Sequence, residues 1–439
     1  MLLILWPLAA FGGRSASTAI PFSGCCVLLA LTVRGTRATS VTARVLGSVL
    51  IAIACFTVVQ ALPLPSAVAD ALSPHADTVR QALSLSPSAP AWLPLSIDEP
   101  STLWASAVTI GTMSLFVAAR AVLARGGLRQ TARGISAVGL VFSTIAIAQA
   151  ATAGRSIYWR FPTEYEGPLP FGPFVNRNHF ATWAIMAAPL CFGYIMARTD
   201  NPDAALSPLI SVRARLTRMA DGRMVWLAMA AAVMTTALLM SMSRSGILSL
   251  AAAATFSSLA LGRRARRGRR WWVLGVFAVA VGIALARLDV PALAERFARS
   301  GSGVESRLRI WTDTMPIVRD FWLTGTGVGS FRTAMVYYQR ADRVVQFNQA
   351  HNHYLQAAAE GGLMLLGLAL SAIAALAMAI REQLSLDRSS AYWIRAGAAC
   401  GLAAVAFQSL WETGLVMPAN AALAAVLAAI ASYKRPQPD

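Results

Sequence analysis

The residues best suited to chemistry lie where a polar stretch meets an apolar run. Residues 288–350 are polar and lead directly into Ala350-His351-Asn352-His353-Tyr354-Leu355, which holds two of the 4 histidines. Arg296, Arg299, Arg307, Arg309, Arg332, Arg340 and Arg343 lie in the stretch before them. An imidazole accepts a proton near neutral pH, and cations beside it suit a reaction on a lipid-linked anion. On one continuous helix His351 and His353 would face nearly opposite directions, so only one of them enters a shared site. His353, Gln356 and Glu360 share a helical face, whereas His351 can stand just before the helix and point into the loop. The spacing does not choose between the two histidines. Zinc is disfavoured, because no third His or Cys has a suitable spacing.

Three further groups carry candidate binding residues. Arg244 stands among Ser241, Ser243 and Ser245 at the tip of a helical hairpin. An arginine near a membrane boundary is costly to bury unless it meets an anion or carbonyls; the bland alternative is snorkelling to the interface. Asn176-Arg177-Asn178-His179 precedes another apolar run. Amide and guanidinium donors at a helix start suit phosphate, and Asn178 is placed to cap that helix. His179 reads equally as a polar contact or as a hydrogen-bonded structural histidine. Arg307 and Arg309 precede Ile310-Trp311, and Arg307 shares a helical face with Trp311. There the guanidinium either stacks on the indole or clamps a pyrophosphate. Gly325-Thr326-Gly327-Val328-Gly329 is not a nucleotide loop, since no strand precedes it and no Lys-Ser/Thr follows. It reads as a tight backbone turn beneath the site.

The elements that must position these residues are membrane spans. The chain has 439 residues, 56% of them hydrophobic and 13% charged. A spanning helix needs about 20 mostly apolar residues. About twelve runs meet that criterion: 2–12, 18–33, 44–62, 101–123, 132–152, 179–197, 225–243, 245–261, 271–287, 353–380, 391–410 and 415–432. The first is short, but it lacks the basic leading region of a signal peptide. The organisation expected is a transmembrane bundle of about nine spans at 1–287, a large loop with its own helices at 288–350, and a bundle of about three spans at 351–439.

The net charge of +18 first suggests nucleic acid, but its distribution argues against that partner. With a cytoplasmic N-terminus, Arg34 and Arg37, Arg125 and Arg129, Arg213 and Arg215, Arg263 to Arg270, Arg381 and Arg388, and Lys434 all fall in inside loops. That alternation is the positive-inside pattern, and the run at 263–270 reads as an anchor on anionic membrane lipid. The same topology puts 63–100, 153–178, 241–246 and 288–350 outside, with both termini cytoplasmic. Within 63–100 the apolar spacing predicts short amphipathic helices lying on the bilayer. The outer face thus holds the aromatic, carboxylate and histidine diversity that marks a site. The five cysteines, Cys25, Cys26, Cys55, Cys191 and Cys400, all fall in apolar runs and read as small buried hydrophobes.

Taken together, these residues resemble the O-antigen ligase/polymerase family of membrane glycosyltransferases. The resemblance is carried by Asn176-Arg177-Asn178-His179-Phe180-Ala181, Ser243-Arg244-Ser245-Gly246, Arg307 with Trp311, the turn Gly325 to Phe331, and Ala350 to Gln356 with Glu360-Gly361-Gly362. It covers roughly 170–370 by motif and the whole chain by topology. The family often has proline where this chain has Trp322. The resemblance implies an all-α, polytopic transmembrane helical bundle, GT-C-like, in a bacterial inner membrane, with its active site facing the periplasm. It implies transfer of a glycan from undecaprenyl pyrophosphate to an acceptor sugar hydroxyl, with no nucleotide sugar, metal or other cofactor. It maps the base or orienting residue onto His351 and the diphosphate-binding arginines onto Arg177, Arg244 and Arg307. Arg244 and Glu360 join His351 as catalytic candidates. Asn176, Asn178, His179, Arg309, Asn352, His353 and Tyr354 join the arginines as candidates for binding pyrophosphate or glycan.

The chemistry fits that picture, since pyrophosphate is already a good leaving group and cations placed where its charge develops lower the barrier. One displacement from the far side would invert the anomeric centre. A ligase uses a lipid A–core acceptor, whereas an O-antigen or exopolysaccharide polymerase extends a lipid-linked repeat; the ligase reading is narrowly favoured. A protein O-oligosaccharyltransferase comes third. A glycolipid transporter is the alternative of a different class, but no paired, Gly/Pro-broken helices recur in two halves.

Overall fold

The computed structural model describes residues 1–33, 40–84, 91–163, 170–200, 222–261, 300–341 and 345–434. The run expected at 271–287, the basic run at 263–270, and Arg296, Arg299 and Arg343 lie outside them. Every other apolar run is helical, as backbone groups in a bilayer must be satisfied within the segment. In chain order the helices are α1 (Leu2–Ala9), α2 (Ala16–Thr32), α3 (Val41–Ala61), α4 (Ser66–Leu72), α5 (Ala76–Leu83), α6 (Glu99–Ala124), α7 (Leu128–Thr152) and α8 (Arg177–Thr199). They continue with α9 (Gly222–Met240), α10 (Arg244–Leu261), α11 (Ser300–Asp320), α12 (Phe331–Tyr338), α13 (His353–Leu386), α14 (Ala391–Gln408) and α15 (Pro418–Ser432). Among the described residues, 6 helices are long and apolar enough to cross a membrane: α3, α6, α7, α8, α9 and α13. The only strands among these residues form two short antiparallel hairpins, Leu64–Pro65 with Trp92–Leu93 and Ser156–Ile157 with Phe161–Pro162. The protein is an all-α polytopic membrane protein.

The bundle is built around α8, which is apolar on every side and almost wholly buried. Its closest neighbour is α14, and small residues permit the approach. A Cβ on Gly397 would lie 2.4 Å from the Pro189 carbonyl oxygen, and one on Gly401 would lie 2.7 Å from that of Met186. Gly397 and Gly401 are four apart, so both fall on the face of α14 that meets α8.

The loops segregate to two ends. At one end the arginine-rich connections meet. Thr42 donates to Glu382 at 2.7 Å, Arg129 to Ser390 at 2.8 Å, and the Trp393 indole N–H to Asp200 at 2.8 Å. At the other end the short helices gather around a separate apolar core. Ala76 and Val79 of α5 pack there with Ile310, Ile317 and Phe321 of the α11 region and with Phe331, Ala334 and Met335 of α12. Of the two short helices in 63–100, α5 thus turns apolar residues to a protein surface, while Val68 of α4 is exposed, and Arg80 is held by the carbonyls of Pro94 and Ser96.

One spanning helix is interrupted. In α13, Gly362 adopts φ 60 and ψ −164, which breaks the helix after its first turns. The N–H groups freed by the break are taken up from outside: Leu363 N donates to Trp322 O at 2.7 Å and Met364 N to Leu323 O at 3.3 Å. Trp322 acts here through its carbonyl, and its side chain is exposed. A proline at that position would offer the same acceptor.

Candidate functional site

Five helix ends converge at the end that carries the short helices. Asn176 caps α8, its Oδ1 accepting from Asn178 N at 2.8 Å. The cap is thus Asn176 rather than Asn178, because the helix begins at Arg177 and the capping oxygen must lie before its free N–H groups. Asn178 is released to accept from Ser243 Oγ at 2.8 Å, which ties α8 to the turn before α10. That turn is tight, with Met242 at φ 53. Ser245 Oγ then accepts from Gln408 Nε2 at 3.3 Å at the end of α14, and Ser409 O accepts from His353 N at 2.8 Å at the start of α13. Asn420 of α15 donates to the carbonyls of His179 and Gly414, at 3.1 and 2.9 Å. Arg177, Arg244 and His351 therefore sit at one end of the bundle, on segments joined by hydrogen bonds.

The centre of this arrangement is Glu412, in the turn between α14 and α15. Its side chain is 0% exposed, yet it meets two candidate residues. His351 Nδ1 lies 3.2 Å from Glu412 Oε1, and Arg307 Nη2 lies 3.6 Å from Glu412 Oε2. The first is a hydrogen bond and the second an ion pair just beyond that range. Burial alone would raise the carboxyl pKa. The His351 hydrogen bond and the charges of His351, His179 and Arg307 together outweigh it, and hold the group down to about 2 from its ordinary 4.5. With Nδ1 engaged by a carboxylate, the imidazole is oriented and Nε2 is left to exchange a proton.

His351 itself stands just before α13, with φ 48. Helix α11 docks beside it: the Trp311 indole N–H donates to Ala350 O at 2.9 Å, on the face that also carries Arg307 to Glu412. The two histidines separate because His351 lies before the helix that His353 begins. His353 is the first residue of α13, half-buried, with Nδ1 unpartnered. His179 is buried, within electrostatic reach of Glu412, His351 and Arg14, and its Nε2 has no partner. Arg244 is half-buried and makes no hydrogen bond or ion pair among the described residues. Arg177 is half-buried at the first position of α8.

Other candidates are placed elsewhere. Arg309 is exposed and pairs with Glu305 at 2.6 Å, one turn back on its own helix. Asn352 caps α13, accepting from Leu355 N at 3.0 Å, and the Tyr354 hydroxyl donates to Ala406 O at 2.9 Å. Glu360 is buried away from His351 and accepts from Phe331 N at 3.2 Å and from Gln356 Nε2 at 3.1 Å. The glycine turn lies against it. Gly325, Gly327 and Gly329 all have positive φ, and a Cβ on Gly325 would lie 2.2 Å from the Glu360 backbone.

Two residues at this end were not signalled by any motif. Glu412 is a lone carboxylate in a short turn; its signal was being the only acid between the last two apolar runs. Gln60 closes the C-terminal end of α3 and is fully buried. Its amide nitrogen donates to Thr324 O at 2.7 Å and to Glu360 O at 2.9 Å, and its oxygen accepts from Val328 N at 3.2 Å. It therefore fastens the glycine turn to α13.

The all-α membrane bundle thus carries arginines, a histidine and a buried carboxylate at one end. Residues 229–370 match the family model described as O-antigen ligase. That stretch, under half of the chain, is similar to the O-antigen ligase/polymerase family. The match includes Arg244, Arg307, His351 and Glu360, and stops short of Arg177 and Glu412. No curated protein matches the chain. The match supports an O-antigen ligase/polymerase-like membrane glycosyltransferase activity on lipid-linked glycans in a bacterial inner membrane.

Proposed function

We propose that the protein transfers a glycan from undecaprenyl pyrophosphate to a sugar hydroxyl on the periplasmic face of the inner membrane, with lipid A–core as acceptor and both termini cytoplasmic. The observation that carries this reading is the Arg307–Glu412–His351 constellation, joined by hydrogen bonds to the segments that bear Arg177 and Arg244. His351 Nε2 takes the proton of the acceptor hydroxyl while Glu412 holds the ring through Nδ1 and stabilises the imidazolium that forms. The hydroxyl oxygen bonds to the anomeric carbon as that carbon's bond to the phosphate oxygen breaks. The electron pair leaves with undecaprenyl pyrophosphate, and the arginines stabilise the charge that gathers there. A single displacement inverts the anomeric centre and draws on neither nucleotide nor metal. A polymerase would use the same donor end with a lipid-linked repeat as acceptor.

The test is incubation of the purified protein with undecaprenyl-pyrophosphate-linked glycan and each acceptor, without nucleotide or metal. Product on lipid A–core supports the ligase, and lengthened lipid-linked repeats mark a polymerase. Movement of glycolipid across a liposome with no covalent product would defeat the reading.

A further inference from the structure

We propose that Gln356 and Glu360 are positioning residues that place His351 by holding the backbone of Ala350. This rests on the reading above, in which His351 is the base. An L residue at φ 48 occupies a sparsely populated region, and its neighbours must impose that conformation. Downstream, His351 is bounded by the Asn352 cap and by the His353 N–H on Ser409 O at 2.8 Å. Upstream, Ala350 is fully buried, and side chains hold both of its polar groups. Its carbonyl accepts from Trp311 Nε1 at 2.9 Å, and its N–H donates to Gln356 Oε1 at 3.2 Å.

The direction of that last bond is set two groups away. Gln356 turns its oxygen to Ala350 because its nitrogen donates to Glu360 Oε1 at 3.1 Å. The same Glu360 oxygen accepts from Phe331 N at 3.2 Å, and Gly329 adds a further backbone donor. Each group in contact with this carboxylate donates, so the order of donors and acceptors runs one way. It passes from the start of α12 and the glycine turn, through Glu360 and Gln356, to Ala350. The relay ends one residue before the base, and neither side chain in it touches His351.

Leucine at either position tests the relay, because it keeps the bulk of the side chain and removes its hydrogen bonds. Transfer is measured with undecaprenyl-pyrophosphate-linked glycan and lipid A–core, and binding of the same donor is measured on each variant. Gln356→Leu and Glu360→Leu are each expected to lower kcat by about tenfold or more, with KM and binding of the donor little changed. Wild-type kcat in both variants, or donor binding lost in step with kcat, would overturn the relay. Wild-type protein that transfers nothing would instead defeat the parent reading.

Discussion

Arg395 and Arg244 are the same side chain at opposite ends of one bundle, and the protein uses them in opposite ways. Arg395, on the first turns of α14, is 2% exposed, and its Nε and Nη1 are engaged by the fold. Nε meets Asp387 at 2.9 Å, Nη1 meets the carbonyls of Tyr433 and Ile430 at 2.7 and 3.4 Å, and the guanidinium lies 3.9 Å from the Tyr433 ring centroid. It bolts α14 to the end of α15. Arg244 is half-buried beside the serines that join α8, α10 and α14, yet makes no hydrogen bond or ion pair among the described residues. Arg307 reaches Glu412 only at 3.6 Å. A guanidinium with its acceptors supplied by the fold is part of the fold, and one with spare donors is available to an anion. The same contrast separates Glu360, surrounded by donors, from His351, whose single side-chain hydrogen bond leaves Nε2 open.

Substitutions at the two ends should differ in kind. The largest loss of activity is expected for His351→Ala, at least about 100-fold in transfer, with unchanged abundance in the membrane. Quantifying product per molecule of protein checks this, and full activity would remove His351 from the mechanism. Arg395→Ala is expected to destabilise by about 3–5 kcal/mol, because it removes the cation from beside Asp387 Oδ2 and the hydrogen bonds to two carbonyls. Thermal melting in detergent would show it, with activity per folded molecule retained. Arg244→Lys is expected to melt like the wild type but to lose about tenfold in kcat/KM, since lysine cannot make a bidentate contact. Equal loss of stability in both arginine variants would erase the distinction between the two ends. Glu412 is expected to show its effect in the pH dependence of stability. Its pKa is depressed to about 2, so its ionised form stabilises the fold above about 4.5, and that contribution is lost as pH falls through about 2. Glu412→Gln is expected to lack this acid-side dependence, which melting curves between neutral and acidic pH would reveal.

The helices were legible in the sequence because apolar runs of spanning length have few other stable forms in a bilayer. The division of the loops was legible too: Arg129 and Arg388 fall in connections assigned to one end, His351 and Arg307 in segments assigned to the other. What escaped were partnerships between distant residues. Glu412 is 61 positions from His351, and Gln60 is 300 from Glu360. Nothing near either marks it as the member of a pair. Local geometry set the remaining differences. A helix starting at Arg177 makes Asn176 the cap, and α5 finds a protein surface on α11 and α12. The separation of His351 from His353 follows from the cap at Asn352, which starts α13 after the first histidine.

In the proposed mechanism the arginines grip the donor while His351 serves only the transfer. Its most direct test is binding of undecaprenyl-pyrophosphate-linked glycan to wild-type, His351→Ala and Arg244→Lys proteins in nanodiscs, with product formation followed in the same samples. His351→Ala is expected to bind donor as the wild type does and to form no product, while Arg244→Lys binds it more weakly. Donor binding indistinguishable between Arg244→Lys and the wild type, or product formed by His351→Ala at the wild-type rate, would contradict that mechanism.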